Sequence, residues 1–304
     1  MKIKKTMSSA EPTAEPTLSE LLPADFTESP ELLDDLKKKI KTEKEDCHQF
    51  MFDMAEYAEW DAVKCLLKAG MDVNSHQYYN SSRDSSSGDA LLHIAVKQGD
   101  LEIVEFLIGN GAKLDEEDYD GCIPLQTALE NDYLFIADAL VDAAEEGDYS
   151  YVYDNEGNSP LHYAASTDES EVLDGKEIFL TDIVKKILNR MIDEDEEVNA
   201  TNKNGDTPLH FAVKYGTEEL VKQLMAVKGV NVNIPNKKGD TPLHEAGARY
   251  NGHRLYTLLL EGGASENVFN VNGYNPKGYQ PWYWLPDSEK GLYDNNPYSY
   301  PGPM

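Results

Sequence analysis

The sequence predicts an all-α fold: a solenoid of stacked helix–turn–helix pairs joined by hairpin loops, with about six repeats. Three observations carry that expectation. Gly205-Asp206-Thr207-Pro208-Leu209-His210 and Gly239-Asp240-Thr241-Pro242-Leu243-His244 are identical and lie 34 residues apart, and self-similarity at such a period marks a stacked array. The Leu of that motif recurs in phase at Leu92, Leu125, Leu161, Leu209 and Leu243, with Met51 in the slot of a degenerate first copy; the steps are 41, 33, 36, 48 and 34 residues. Apolar residues then follow at helical spacing, as Leu101, Ile103, Val104, Leu107 and Ile108 in one copy and Leu220, Val221, Leu224 and Met225 in another.

Residues 1–30 are rich in Ser, Thr, Pro and Glu and are expected to form a disordered leader. Residues 31–46 read as a charged amphipathic helix carrying Leu32, Leu33, Leu36 and Ile40, placed to cap the first copy. The array occupies residues 47–275. In each unit Ser159, Thr207 or Thr241 is expected to cap the first helix by accepting a free backbone N–H. Pro160, Pro208 and Pro242 follow at the first helical position, where a missing N–H costs nothing. Ala95, Ala128, Ala164, Ala212 and Ala246 are small enough for close helix packing. Gly99 and Gly216 are expected to end that helix in a left-handed conformation. Gly111-Ala112 and Gly263-Ala264 close the second helix. Polar turns such as Asp118-Tyr119-Asp120-Gly121 and Asn236-Lys237-Lys238-Gly239 then place glycine where positive φ is required.

These motifs together resemble the ankyrin repeat family, over roughly residues 46–275. The resemblance implies a binding scaffold whose hairpin tips and first helices line a concave face. It also implies that His93, His162, His210 and His244, one per copy, tie neighbouring turns together instead of forming a catalytic or metal site. Three departures fall on loops: a polar tip at residues 78–87, a stretch of about 15 extra residues around 167–180, and a third copy without the Gly-Ala ending. Residues 276–304 form a tail with Trp282-Tyr283-Trp284-Leu285 and repeated Tyr and Pro. It reads either as a cap on the last apolar face or as a linear recognition motif.

Charge and composition narrow the function. There are 27 Lys and Arg against 56 Asp and Glu, a net of −29, and residues 101–200 hold 27 acids and 5 bases, a net of −22. Direct nucleic-acid binding needs a basic face and is not expected; a protein partner with a basic surface is. The three cysteines lack metal or disulfide spacing and fit a reducing, cytoplasmic setting. No apolar run reaches membrane-spanning length. Glu116-x-Asp118-x-Asp120-Gly121 starts like a calcium loop, but Thr127 stands where a bidentate Glu belongs. Motifs of nucleophilic, phosphate-binding or metalloprotease chemistry are missing. No enzymatic activity, catalytic residue, cofactor or metal is therefore expected.

The positions least constrained by the repeat are the turn residues around each glycine and those ending the first helix. The expected partner contacts are Tyr57, Asp118, Tyr119, Asp120, Asn155, Glu156, Lys214, Tyr215, Lys237, Arg249, Tyr250, Trp282 and Trp284, with tyrosine and tryptophan as favoured anchors. The carboxylate run 193–197 is a further solvated or docking segment. The sequence thus reads as a monomeric, non-enzymatic scaffold or adaptor. The alternative is a pathogen effector or masking inhibitor, delivered into a host cell and recruiting a host enzyme through the aromatic tail.

Overall fold

Pro124, Pro160, Pro208 and Pro242 each stand at the first position of a helix, where their fixed φ already suits helix entry. The computed structural model describes residues 16–23, 26–77, 88–145, 149, 151–167, 170–173, 176–190, 198–249 and 252–279. It divides into two compact units, Met1–Ser75 and His76–Met304.

In the first unit, α1 (Leu18–Leu21) begins with a capping box: Thr17 N–H donates to Glu20 Oε2 at 2.7 Å. Leu18 and Leu22 are buried, so this part of the expected disordered leader is folded. Helix α2 (Pro30–Thr42) has Pro at its first position and Ser29 Oγ accepting from Leu32 N–H at 3.1 Å. It ends at Glu43, and a separate helix α3 (Lys44–Glu56) follows; residues 31–46 are not one helix. Ala58 turns the chain at φ 60° into α4 (Trp60–Lys68). Leu36, Met51, Phe52, Val63 and Leu66 are fully buried, and burying each contributes about 1.5–3 kcal/mol.

The second unit holds five helix pairs among its described residues. They are α5 (Leu91–Gln98) with α6 (Leu101–Gly109), α7 (Pro124–Glu130) with α8 (Leu134–Ala143), and α9 (Pro160–Ala164) with α10 (Leu180–Arg190). Next come α11 (Pro208–Lys214) with α12 (Glu218–Met225), and α13 (Pro242–Ala248) with α14 (His253–Glu261). First helices pack on first helices (α5 on α7, α7 on α9, α9 on α11, α11 on α13) and second helices on second helices. That is the layered stacking the periodicity predicts. Leu92, Leu125, Leu161, Leu209 and Leu243 are all buried. The 3-10 turn Pro276–Tyr279 packs on α13, where a further first helix would otherwise lie.

Three local expectations are corrected. The insertion after α9 is not a plain loop but a β-hairpin, β1 (Ser170–Leu173) antiparallel to β2 (Lys176–Phe179) with Ser170 opposite Phe179, set into an otherwise helical array. Gly99 is left-handed at φ 72°, but Gly216 is not. Its constraint is steric, since an added Cβ would sit 2.8 Å from Ala212 O and 2.9 Å from Ala165 O. Of the three expected hydroxyl caps, only Thr207 accepts a backbone N–H, from His210 at 3.4 Å. All three hydroxyls, of Ser159, Thr207 and Thr241, lie 2.9 Å from the Nδ1 atoms of His162, His210 and His244. The carboxylate run 193–197 lies outside the described residues.

Candidate functional site

Five hairpin turns share one frame. The first turn residue (Asp118, Asp154, Asn202, Asn236 or Asn270) accepts two backbone N–H bonds on its Oδ1, at 2.7 to 3.0 Å. The turn glycines Gly121, Gly157, Gly205, Gly239 and Gly273 take φ between 76° and 80°, a region only glycine enters freely. Successive turns are stitched backbone to backbone. Asn155, Lys203, Lys237 and Val271 donate N–H to the carbonyls of Asp120, Glu156, Asn204 and Lys238 at 2.8 to 2.9 Å.

The in-phase histidines complete this frame. Thr207 N–H donates to His210 Nδ1 at 3.0 Å, and His210 Nε2 faces Asp240 O at 3.0 Å. Because Nδ1 accepts a backbone N–H, the proton sits on Nε2, which donates to the next turn. His93, His162 and His244 repeat the arrangement onto Cys122 O, Asp206 O and Tyr274 O. Gln126 does the same work, accepting from Ile123 N–H and donating to Asn158 O, both at 2.9 Å. Burial holds all four histidines below their ordinary pKa, His162 down to about 4. They are neutral structural ties.

With the turns fixed this way, their inner sides and the first helices enclose a groove of about 720 Å³. Five carboxylates line it, from Asp118, Asp120, Glu130, Asp154 and Glu156, against the single cation Lys97. Lys97 is already claimed: its Nζ is 2.8 and 3.0 Å from the Asp89 oxygens and 3.4 Å from Asp118 Oδ2. Burial works against its charge, but these carboxylates outweigh burial and raise its pKa. The groove therefore keeps a strong negative excess. On its wall Tyr163 O–H donates to Asp154 Oδ2 at 2.7 Å and lies 3.3 Å from Cys122 Sγ. Burial pushes the Cys122 thiol up to about 12 and Tyr163 above its usual range, so neither ionises at neutral pH. A buried thiol in such surroundings is that of a structural cysteine and not of an activated nucleophile, which needs a lowered pKa.

The sequence-predicted contacts fall into groups. Asp118, Asp120, Asn155 and Glu156 come together on the groove. Asp118 is a correction, because it is buried and both oxygens are engaged, one with the turn N–H groups and one with Lys97; it builds the turn. Tyr119 is exposed at the tip, its carbonyl accepting from Asn155 Nδ2 at 3.1 Å. Lys214 and Tyr215 lie at the end of α11, the ammonium 4.9 Å from the ring centroid, and Lys237 is an exposed tip residue further along. Arg249 is a second correction: its Nη1 donates to Val213 O at 2.8 Å and Gly216 O at 3.0 Å. The guanidinium ties α13 to the end of α11. Tyr57 is exposed in the first unit. Tyr250, Trp282 and Trp284 lie outside the described residues. Not foreseen as contacts were Tyr163 and Phe211. Both directly follow the motif histidine, and that slot was the signal available.

The family profile described as ankyrin repeats (3 copies) matches residues 51–152, 92–174 and 179–270. This chain belongs to the ankyrin repeat family. Among its relatives is a fowlpox virus (strain NVSL) ankyrin repeat protein, 28% identical over 165 residues, covering 54% of this chain and 98% of the viral protein. Another, also from fowlpox virus, is 28% identical over 55% of this chain and 43% of its own length. Mouse rabankyrin-5 is 26% identical over 59% of this chain and 17% of its own length. The ankyrin repeat domain of Bcl-3, a member of the IkappaB protein family, superposes with a TM-score of 0.53 at 24% identity, over 74% of this chain and 91% of that domain. The ankyrin repeat protein EF0377 gives 0.50 at 25% identity, over 62% and 92%. Ankyrin repeats are generally non-enzymatic protein–protein interaction modules.

Proposed function

We propose that this ankyrin chain is a monomeric, non-enzymatic cytoplasmic adaptor that engages a basic protein surface through the groove beside its acidic hairpin turns. One observation carries the reading: five carboxylates line a groove whose single lysine is already ion-paired with Asp89 and Asp118. A surface of that sign draws a cationic partner, and salt screens the attraction. The reading does not require nucleic acid, a membrane or a cofactor. Among the described residues no helix is long and apolar enough to cross a membrane.

The test uses a fluorescein-labelled decalysine peptide as a cationic probe of the full chain. Affinity should fall about tenfold or more between low and physiological salt, and Asp120→Lys with Glu156→Lys should reduce the association rate at low salt. An affinity indifferent to salt, or to both reversals, would sink the reading.

A second reading, a masking or effector protein delivered into a host cell, is favoured by the fowlpox relative that matches over nearly its whole length. It predicts capture of a host enzyme that depends on residues 276–304. Equal capture by the chain lacking those residues removes it.

A further inference from the structure

Beside the acidic groove lies a second, smaller cavity of about 180 Å³. Its lining includes the buried Leu129, the half-buried rings of Tyr163 and Phe211, and the exposed acidic residues Glu130 and Asp132. It shares Glu130, Asn158 and Tyr163 with the groove, so a chain lying in one passes the mouth of the other. The volume falls below that of an ordinary small-molecule pocket and suits one inserted side chain.

The two rings are held before anything binds. Tyr163 is fixed by its bonds to Asp154 and Cys122. Phe211 stands edge-on to His162 at 5.3 Å and to Tyr215 at 5.8 Å between centroids. His162 also lines the cavity, but both its ring nitrogens are engaged, with Ser159 and Asp206, so it offers no competing donor. Glu130 is exposed, and its carboxylate makes no hydrogen bond or ion pair among the described residues.

We infer that this cavity takes one arginine side chain of an extended basic segment running along the groove. An arginine fits both halves: its weakly hydrated plane stacks on aromatic faces, and its fork of donors meets carboxylates in pairs. A lysine ammonium is more strongly hydrated and lacks the plane. The preference for arginine is thus assigned to the ring-lined cavity, and general attraction for cations to the groove. The inference deepens the basic-partner reading and rests on it.

The test measures fluorescence anisotropy of the full chain with three labelled nine-residue Gly/Ser peptides, carrying three arginines, three lysines or three citrullines. The arginine peptide should bind about fivefold more tightly than the lysine peptide, as stacking of a partly desolvated guanidinium suggests. The citrulline peptide, without charge, should bind at least about tenfold more weakly than the arginine peptide. Glu130→Gln and Phe211→Leu should each erase most of the arginine preference, while Glu156→Gln should weaken both cationic peptides alike. Phe211→Leu keeps an apolar side chain, and unchanged far-ultraviolet circular dichroism confirms the fold. If arginine and lysine peptides bind equally, and both respond to Glu156→Gln, the cavity inference fails and the acidic groove stands. If neither cationic peptide binds at low salt, both readings fail together.

Discussion

Asn270 Nδ2 donates to Asp240 Oδ1 across 2.8 Å, linking the side chains of two successive hairpin turns. The same bond joins Asn236 to Asp206 at 2.7 Å and Asn202 to Asn158 at 2.9 Å. One turn earlier the frame residue is Asp154, which has no amide to donate, and the acceptor slot holds Cys122. The side-chain tie therefore runs through the later turns and stops where the acidic groove begins. Asn236→Asp keeps the Oδ1 that organises its own turn but sets a carboxylate against Asp206. It should cost about 1–3 kcal/mol, the usual range for a lost bond with an ion left facing it, read as a lower thermal midpoint than the wild type. An unchanged midpoint would show that the backbone ladder alone holds these turns.

Glycine positions separate two kinds of constraint. Gly205 is at φ 80°, and an added Cβ would lie 2.9 Å from Lys237 N in the next turn; Gly263 is at φ 90° with nothing within 4 Å. Both substitutions to Ala carry conformational strain, about 1 kcal/mol. Only Gly205→Ala also pushes on a neighbouring backbone, so it should destabilise the chain more in urea titrations. Equal losses would contradict the close approach.

The neutral histidines make folding sensitive to acid. Burial lowers the folded pKa of His162 to about 4, against 6.5 for an unperturbed ring. Between those values the unfolded chain binds a proton that the folded chain refuses, so this contribution is complete above pH 6.5 and declines as pH falls. His162→Gln should keep both bonds, as Gln126 shows in the same slot, and should flatten the stability change from pH 7 to 5 measured by thermal unfolding. A variant that loses stability as steeply as the wild type would show that His162 does not titrate in the expected way.

The insertion contributes a cap that its neighbour lacks. Glu171 of β1 accepts from Phe135 N–H at 2.9 Å, and α8 has no side-chain cap of its own. Glu171→Ala should lower stability by about 0.5–2 kcal/mol, with Glu171→Gln close to wild type. Calorimetry of the pair checks this, and an Ala variant as stable as Gln would remove the role.

Arg249→Ala separates structure from recognition. Its two bonds to the carbonyl groups ending α11 should be lost with a drop in thermal midpoint, while affinity for the decalysine probe stays within about twofold. A large affinity loss at unchanged stability would restore Arg249 as a contact.

How far the sequence was legible follows from range. The repeat phase, the buried leucines and the left-handed turn glycines are local signals, because each reports a backbone need within a few residues. Gly216 was misread because its constraint is a close approach to backbone, to Ala212 O in its own copy and to Ala165 O in the preceding one, and not a left-handed φ. Asp118 and Arg249 were misread for a related reason: their bonds run to Lys97, Val213 and Gly216, set by stacking distance. The β-hairpin was hidden because its short strands have little periodicity. The cavity was hidden because its walls come from different copies, and only packing brings Glu130, Tyr163 and Phe211 to one mouth.

Cys47, Cys65 and Cys122 are all buried, and each thiol is pushed above its ordinary pKa by burial. Alkylating reagents act on exposed thiolates, so the native chain should offer them little background. A single cysteine introduced at Tyr119 or Lys237 would then carry a crosslinker or dye without first removing the native three. The molecule is thus already suited to mapping, fingertip by fingertip, whatever it holds.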